Sequence, residues 1–403
     1  MEQLLFLTQR IPYPPDKGDK IRAWHLLSHL AKRFRIHLGC FCDDPADLVH
    51  IPFLESVCAS VCCRLLSPKR AKLKSLANLG TGAPLTLAYF ADETLRNWVD
   101  ATVAAQRPSR IFVFCSAMAP YALPHKAEIR VLDMVDVDSD KWRQYAESKP
   151  WPARAVYARE HRTLLEFERK MAAEFDATLL VSRAEADFLR RLAPESADRI
   201  VALPNGVDTA RFDPSRRYAD PYPAGVRALC FTGAMDYWPN VDAVRWFAER
   251  VMPLLAARTS GIEFWIVGAK PTPVVERLAR LPAVRVTGRV EDVRPYVAHA
   301  AAVVAPLQIA RGVQNKVLEA MAMARPVVLT PQAGEGLDLV SGRDALVADD
   351  AERFAAAVHE IVEGGHPQLG TRARQRVLAD YQWNFAPLDE IVAGRAFAAA
   401  AAG

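Results

Sequence analysis

Two doubly wound α/β domains follow from how apolar and amphipathic stretches alternate along this chain, from its length, and from one break near its middle. Short strand-like apolar runs are separated by helix-length amphipathic stretches from the first residues onward, the pattern of parallel sheets joined by crossover helices. With 403 residues, 51% of them hydrophobic, the chain can fill two cores at roughly 100 to 200 residues per domain. The cluster Leu203-Pro204-Asn205-Gly206-Val207-Asp208 punctuates rather than continues an element, and the hinge is expected there.

The predicted strands of the first domain are residues 4–7, 36–41, 111–114, 131–135 and 178–181, and those of the second are 228–232, 263–267, 284–287, 302–306, 327–330 and 346–348. Each is a run rich in Val, Ile, Leu and Phe bounded by turn residues, as strands buried on both faces are. Gly18 follows the first run and precedes the helical pattern Ile21, Trp24, Leu27, Leu30. A glycine there lets backbone approach a phosphate or sugar, and a plain turn needs it too. Lys17, Lys20 and Arg22 beside it read as solvated surface. The tail, residues 380–397, is helix-compatible.

The densest chemical signal is Ala310-Arg311-Gly312-Val313-Gln314-Asn315-Lys316-Val317-Leu318-Glu319-Ala320-Met321-Ala322. Wound at about 100° per residue, residues 313–324 put Val313, Val317, Met321 and Ala324 on one side and Asn315, Lys316 and Glu319 on the other. The run 302–306 before it reads as a buried strand, so the polar face stands at a strand's carboxyl end, where open α/β sheets bind ligands. A helix N-terminus with Lys316 suits a diphosphate, and Glu319 one turn on can accept hydrogen bonds from a ribose diol. A solvated helix start with one charged pair would use the same residues.

Composition narrows the field. A net charge of +4 gives no footprint for nucleic acid. The seven cysteines lack paired metal-ligand spacing and neighbouring histidines, so reduced thiols are expected rather than zinc. The chain begins with a strand-like run and no cationic leader, and no run reaches the roughly 18 apolar residues of a membrane span. A cytoplasmic protein, peripheral at most, is expected. The basic run Lys69-Arg70-Ala71-Lys72-Leu73-Lys74 fits either a solvated face or contact with an anionic membrane. His161, His299 and His359 lie in helical patterns and read as surface or satisfied groups.

Six motifs in order carry a resemblance: Asn205-Gly206-Val207-Asp208 with Phe212, Phe231-Thr232-Gly233, Ile266-Val267-Gly268, Val286-Thr287-Gly288-Arg289-Val290, Lys316 through Ala322, and Pro326-Val327-Val328. Together they resemble glycosyltransferase family 4. The stretch from Arg10 to Lys20, with Asp133-Met134-Val135-Asp136-Val137-Asp138-Ser139, resembles a subgroup associated with bacterial exopolysaccharide and PEP-CTERM systems. The resemblance implies the GT-B fold: two Rossmann-like domains facing across a cleft, an acceptor domain at 1–204, a nucleotide-sugar donor domain at 205–379, and a crossover helix at 380–403 returning to the first. It implies a hexosyltransferase that moves a sugar, with retention, from a nucleotide sugar to a glycan or lipid-linked acceptor. The nucleotide sugar is a co-substrate, and no other cofactor is expected. Rival readings are a sugar-nucleotide epimerase of the same fold and a non-catalytic nucleotide-sugar-binding partner of a polysaccharide assembly.

On this resemblance the donor-binding residues are Gly18, Gly233, Arg289, Val290, Arg311, Gly312, Val313, Asn315, Lys316 and Glu319. The catalytic candidates are Asp133, Asp136 and Lys316, with Lys17, Asp19 and Asp138 on the acceptor side. Three departures stand out. Arg311 occupies the place of a glutamate that usually approaches the donor sugar. No arginine or lysine follows Gly233 in the stretch through Asn240. Asp133 or Asp136 stands where a histidine often lines the cleft. Asp136-Val137-Asp138 has the spacing of a metal-binding triplet, but it lies in the acceptor half, and no metal is expected.

Overall fold

The computed structural model describes residues 1–310 and 313–395, the side chains of Ala77 and Ser148 excepted. The chain divides into two compact units, Met1–Pro204 with the segment from Asn384 onward, and Asn205–Trp383.

In the first unit the strands are β1 (Glu2–Thr8), β2 (Phe34–Cys42), β3 (Ser60–Leu65), β4 (Arg110–Phe114), β5 (Ile129–Val135), β6 (Ala177–Leu180) and β7 (Ile200–Ala202). They form one sheet in the order β3-β2-β1-β4-β5-β6-β7, with parallel pairing throughout. β1 shows why a run without alternation becomes a strand here. Leu4 and Phe6 pack into the core on one face while Leu5 and Leu7 pack into the core on the other, and Phe6 stacks on Phe112 of β4 at 4.9 Å between ring centroids. β3 and β7 were not among the expected strands. β3 is the half-buried edge of the sheet, and β7 has three residues, so neither presents a long apolar run.

The second unit contains β8 (Arg227–Thr232), β9 (Ile262–Val267), β10 (Val284–Gly288), β11 (Ala302–Ala305), β12 (Val327–Leu329) and β13 (Leu346–Val347). Their order is β10-β9-β8-β11-β12-β13, again parallel. All six lie where apolar runs predicted them. In each sheet the order reverses once about its first strand, between β1 and β4 and between β8 and β11. Such a switch point leaves a crevice at the carboxyl ends of two strands whose following helices lie on opposite faces.

The tail corrects an expectation. Residues 380–397 do not make one helix. The helix Leu369–Asp380 ends as the tail begins, and Tyr381 and Gln382 then run beside Val207, whose N–H donates to the Tyr381 carbonyl at 2.8 Å. A separate helix, Ala386–Val392, starts where Asn384 Oδ1 accepts the Ala386 N–H at 3.0 Å. Its Leu388, Ile391 and Val392 are buried in the first unit's core. Residues 396 and 397 lie outside the described residues.

Candidate functional site

At the switch point of the second unit, β8 runs out into Gly233 and β11 leads to the helix Asn315–Ala322. That helix forms because Val317, Leu318, Met321 and Ala322 bury one side in the core, leaving Asn315, Lys316 and Glu319 half-buried on the other. Gln314 stands at its N-cap in extended backbone. The strand ends crowd together here. A Cβ on Gly268, after β9, would meet the Gly233 carbonyl oxygen at 1.7 Å, and one on Gly233 would meet Asn240 Nδ2 at 2.7 Å and Lys316 Nζ at 3.2 Å. Gly268 thus lets the strand ends close up, and Gly233 brings backbone to within contact of the lysine.

Lys316 is the centre of this arrangement. Its Nζ donates to Asn240 Oδ1 at 2.7 Å and stands 4.0 Å from the centroid of the Phe231 ring, a cation–π distance. Asn240 is itself fixed by donating to the Ala234 carbonyl at 2.9 Å. Among the described residues no carboxylate lies within ion-pair reach of the ammonium, so its charge is held by a neutral amide and a ring face. Burial pulls the Lys316 amine down to about 7, with Glu319 resisting the fall. Burial also pushes the Glu319 carboxyl up to about 7, opposed by Arg211 and Lys316. A half-buried cation without an anionic partner, beside a helix N-terminus, is a place where an incoming anion recovers the cost of desolvation.

Asn240, Phe231 and Arg211 were absent from the sequence-based site. Asn240 lies near the start of the helix Trp238–Trp246, in the stretch that supplies no arginine or lysine. Its role as a neutral partner becomes visible only when the two helices are brought to adjacent strands. Of the other donor-side residues, Asn315 opens its helix, and Val313 and Val290 are half-buried against the core. Arg289 directly follows Gly288, the last residue of β10. Arg311 and Gly312 lie outside the described residues.

The remaining expected residues belong to the first unit. Gly18 is the exposed first residue of the helix Gly18–Leu30, with Lys17 at its cap. The Asp19 carboxylate is paired with Arg10, which also binds Asp43 at 3.0 Å. Lys20 and Arg22 are not solvated surface, contrary to expectation. Lys20 is enclosed and pairs with Asp16 at 2.9 Å and Asp47 at 3.1 Å, because the helix turns both cations inward, Lys20 toward Asp16 just ahead of it and Asp47 after β2, and Arg22 toward Asp133 on β5.

Arg22 reaches Asp133, and this corrects the catalytic assignment of that aspartate. Asp133 is fully enclosed and its carboxylate accepts from Arg22 Nε at 2.8 Å, Arg22 Nη2 at 3.2 Å and the Val135 N–H at 3.0 Å. Burial raises its pKa, with Arg22 pulling the other way. A group so enclosed cannot touch a substrate. Asp136 and Asp138 are half-buried and share one cation: Lys141 Nζ lies 3.0 Å from Asp136 and 2.8 Å from Asp138. Burial works against the ammonium, but Asp138 and Asp136 hold it well above its ordinary range. Just beyond, Glu168 is enclosed and accepts from the Ser139 N–H at 3.2 Å and the Ser139 hydroxyl at 2.5 Å. Burial lifts its carboxyl to about 8.

Two family models match parts of the chain. That of glycosyl transferases group 1 spans residues 226–364, a stretch that includes Gly233, Asn240, Lys316 and Glu319, and that of glycosyltransferase family 4 spans residues 142–211. No curated protein sequence matches closely enough to count as a relative. Among solved structures, the chain is similar to sucrose-phosphate synthase (tll1590) from Thermosynechococcus elongatus at 18% identity and a TM-score of 0.64, covering 97% of both chains. It is similar to Anabaena Alr3699/HepE in complex with UDP-glucose at 14% identity and a TM-score of 0.63, covering 98% of this chain and 99% of that one. A third likeness is to α,α-trehalose 6-phosphate synthase from Burkholderia multivorans, at 13% identity and a TM-score of 0.64, covering 99% and 100%. Identities this low speak for shared architecture.

Proposed function

We propose that this chain, which carries glycosyltransferase segments on a GT-B architecture, transfers a sugar from a nucleoside diphosphate sugar bound at the switch point of its second unit. The observation that carries the reading is Lys316, a half-buried cation held by Asn240 and Phe231 with no described carboxylate in reach. Transfer requires the leaving diphosphate to be stabilised, and a fixed cation with a helix N-terminus supplies this without reorganisation as charge develops. Diphosphate oxygens provide the missing counter-charge, so the amine that burial holds near 7 becomes fully protonated when they arrive. Glu319, on the same side of the helix, accepts from the ribose hydroxyls. Similarity to a protein solved with UDP-glucose supports a nucleotide-sugar donor.

The finer reading rests on the sequence resemblance: a hexosyl group, retention at the anomeric carbon, and a glycan or lipid-linked acceptor in bacterial exopolysaccharide or cell-surface synthesis. Peripheral contact with an anionic membrane at the cytoplasmic face also belongs to it. In its favour, the helix Pro68–Leu76 exposes Lys69, Arg70, Lys72 and Lys74 together with Leu73, 73% accessible. Basic residues near an anionic surface contribute about 1 kcal/mol each. Liposome sedimentation tests the contact, which should need anionic lipid and fade with salt.

The transfer reading is tested by donor turnover without acceptor. A transferase should release nucleoside diphosphate slowly from the sugar nucleotide that best stabilises it in a melting screen. Binding with no release, under any acceptor tried, would make the chain a nucleotide-sugar-binding partner instead. Isomerised donor with no diphosphate released would mark an epimerase.

A further inference from the structure

Three thiols on neighbouring strands take no part in the chemistry above. β2 and β3 run parallel with Cys40 directly opposite Cys63. Alternation along a strand puts Cys40, Cys42 and Cys63 on one face and Cys62 on the other. Packing agrees, since Cys40 and Cys42 belong to one core cluster, Cys63 borders it, and Cys62 borders the opposite one. The Cys63 thiol thus shares its side of the sheet with those of Cys40 and Cys42, Cys40 being its direct neighbour across the strands. Neighbouring strands stand about 4.7 to 4.9 Å apart, inside the roughly 4.4 to 6.8 Å between Cα atoms that a disulfide requires. The Cα separation of paired strands thus falls within the range a Cys40–Cys63 disulfide spans.

Accessibility divides their roles. Cys40 and Cys42 are fully enclosed, whereas Cys63 is half-buried on β3, the edge strand of the sheet. The neighbouring Cys40 thiol, with Cys42 and the adjacent Arg64, outweighs burial and holds the Cys63 pKa below the ordinary thiol value. Its neighbour Cys63, together with burial, drives the Cys40 thiol upward. By contrast, burial alone pushes Cys58 up to about 12. An accessible thiolate beside a second thiol is the arrangement that exchanges with disulfides, while enclosed thiols stay inert.

We propose that Cys63 and Cys40 form a thiol–disulfide exchange site for low-molecular-weight disulfides. The Cys63 thiolate attacks one sulfur of the small disulfide. A bond forms between Cys63 and that sulfur, the small molecule's S–S bond breaks, and one small thiolate leaves and takes a proton. Cys40, whose neighbour Cys63 carries the mixed disulfide, attacks Cys63 Sγ and passes its proton to the small thiolate that leaves. The mixed disulfide breaks, a second small thiol leaves, and a Cys40–Cys63 disulfide staples the edge strand to β2. Two protein thiols are oxidised and one small disulfide is reduced to two thiols.

The test treats the full chain with oxidised glutathione and follows intact mass, peptide maps and melting. The wild type should lose two hydrogens, yield one cross-linked pair containing Cys40 and Cys63, and melt at higher temperature until dithiothreitol reverses the change. Cys40→Ser should retain glutathione on Cys63, and Cys63→Ser should form neither adduct nor cross-link on β2. Melting of each reduced variant establishes that it is folded. A wild-type cross-link that omits either residue, a stable adduct on Cys62, or thiols that all stay unmodified while an unstructured cysteine peptide reacts would overturn the proposal.

Discussion

Arg22 and Asp133 form an ion pair with both side chains fully enclosed, Arg22 Nε lying 2.8 Å from Asp133 Oδ2. Arg22 Nη1 donates as well to the Leu203 carbonyl at 2.7 Å, so one side chain ties the first helix of the unit to β5 and to the chain just beyond β7. Removing one partner strands the other charge in the core.

Asp133→Asn should therefore cost about 3 to 5 kcal/mol of stability in urea unfolding. The double variant Arg22→Met with Asp133→Leu should recover much of it, because an apolar pair leaves no unpaired charge. Loss of less than about 1 kcal/mol in Asp133→Asn would mean that water reaches the pair.

The acid pair on β5's far side should leave nucleotide chemistry independent of divalent metal. Lys141 already pairs with both Asp136 and Asp138, and the cation proposed for the diphosphate, Lys316, belongs to the other unit. Donor turnover should survive EDTA. A manganese requirement that Asp136→Asn and Asp138→Asn remove would turn the triplet into a metal site.

Glu168 should make stability fall as pH rises. Its folded-state carboxyl is lifted to about 8 from an ordinary 4.5, so between those values the native state holds a proton that the unfolded state has lost. The contribution is complete below about pH 4.5 and is lost as pH climbs through 8, on the order of a few kcal/mol. Chemical unfolding across that range should show the decline, and Glu168→Gln should flatten it. An identical slope in the variant would place the titration elsewhere.

Apolar runs revealed most strands because parallel strands are buried on both faces and have no polar side to hide them. The same logic left β3 invisible, since Ser60 to Leu65 form a half-buried edge with no continuous run. At the site, Lys316 and Glu319 were legible from helical spacing alone. Asn240 was not, because its contact with Lys316 joins residues that only the sheet order brings together. Lys20 and Arg22 were misjudged for a related reason: charge in a sequence reads as surface, and only tertiary pairing, with Asp47 and Asp133, shows that they are enclosed.

Glu319→Gln should weaken binding of ribonucleoside diphosphates more than that of analogues lacking the bonded hydroxyl, if the carboxylate accepts from the ribose. The ratio of the two losses is the readout. Equal losses would assign Glu319 a purely structural part.

Nucleoside diphosphate binding should tighten as pH falls toward about 7 and level off below it. The free Lys316 amine titrates near there, and a bound diphosphate raises its pKa, so between the two values binding takes up a proton. Calorimetry at about pH 8 in buffers of different ionisation enthalpy should register that uptake. Binding without it would mean that the amine is already charged or lies away from the ligand.

The most direct measurement is the affinity of Lys316→Ala for the nucleoside diphosphate that best stabilises the wild type, determined by calorimetry on protein shown to be folded. Loss of one charge-assisted bond predicts a weakening of roughly 1.5 to 3 kcal/mol, about tenfold to somewhat over a hundredfold. Unchanged affinity in a folded variant would remove Lys316 from the site and contradict the placement of the diphosphate at this switch point.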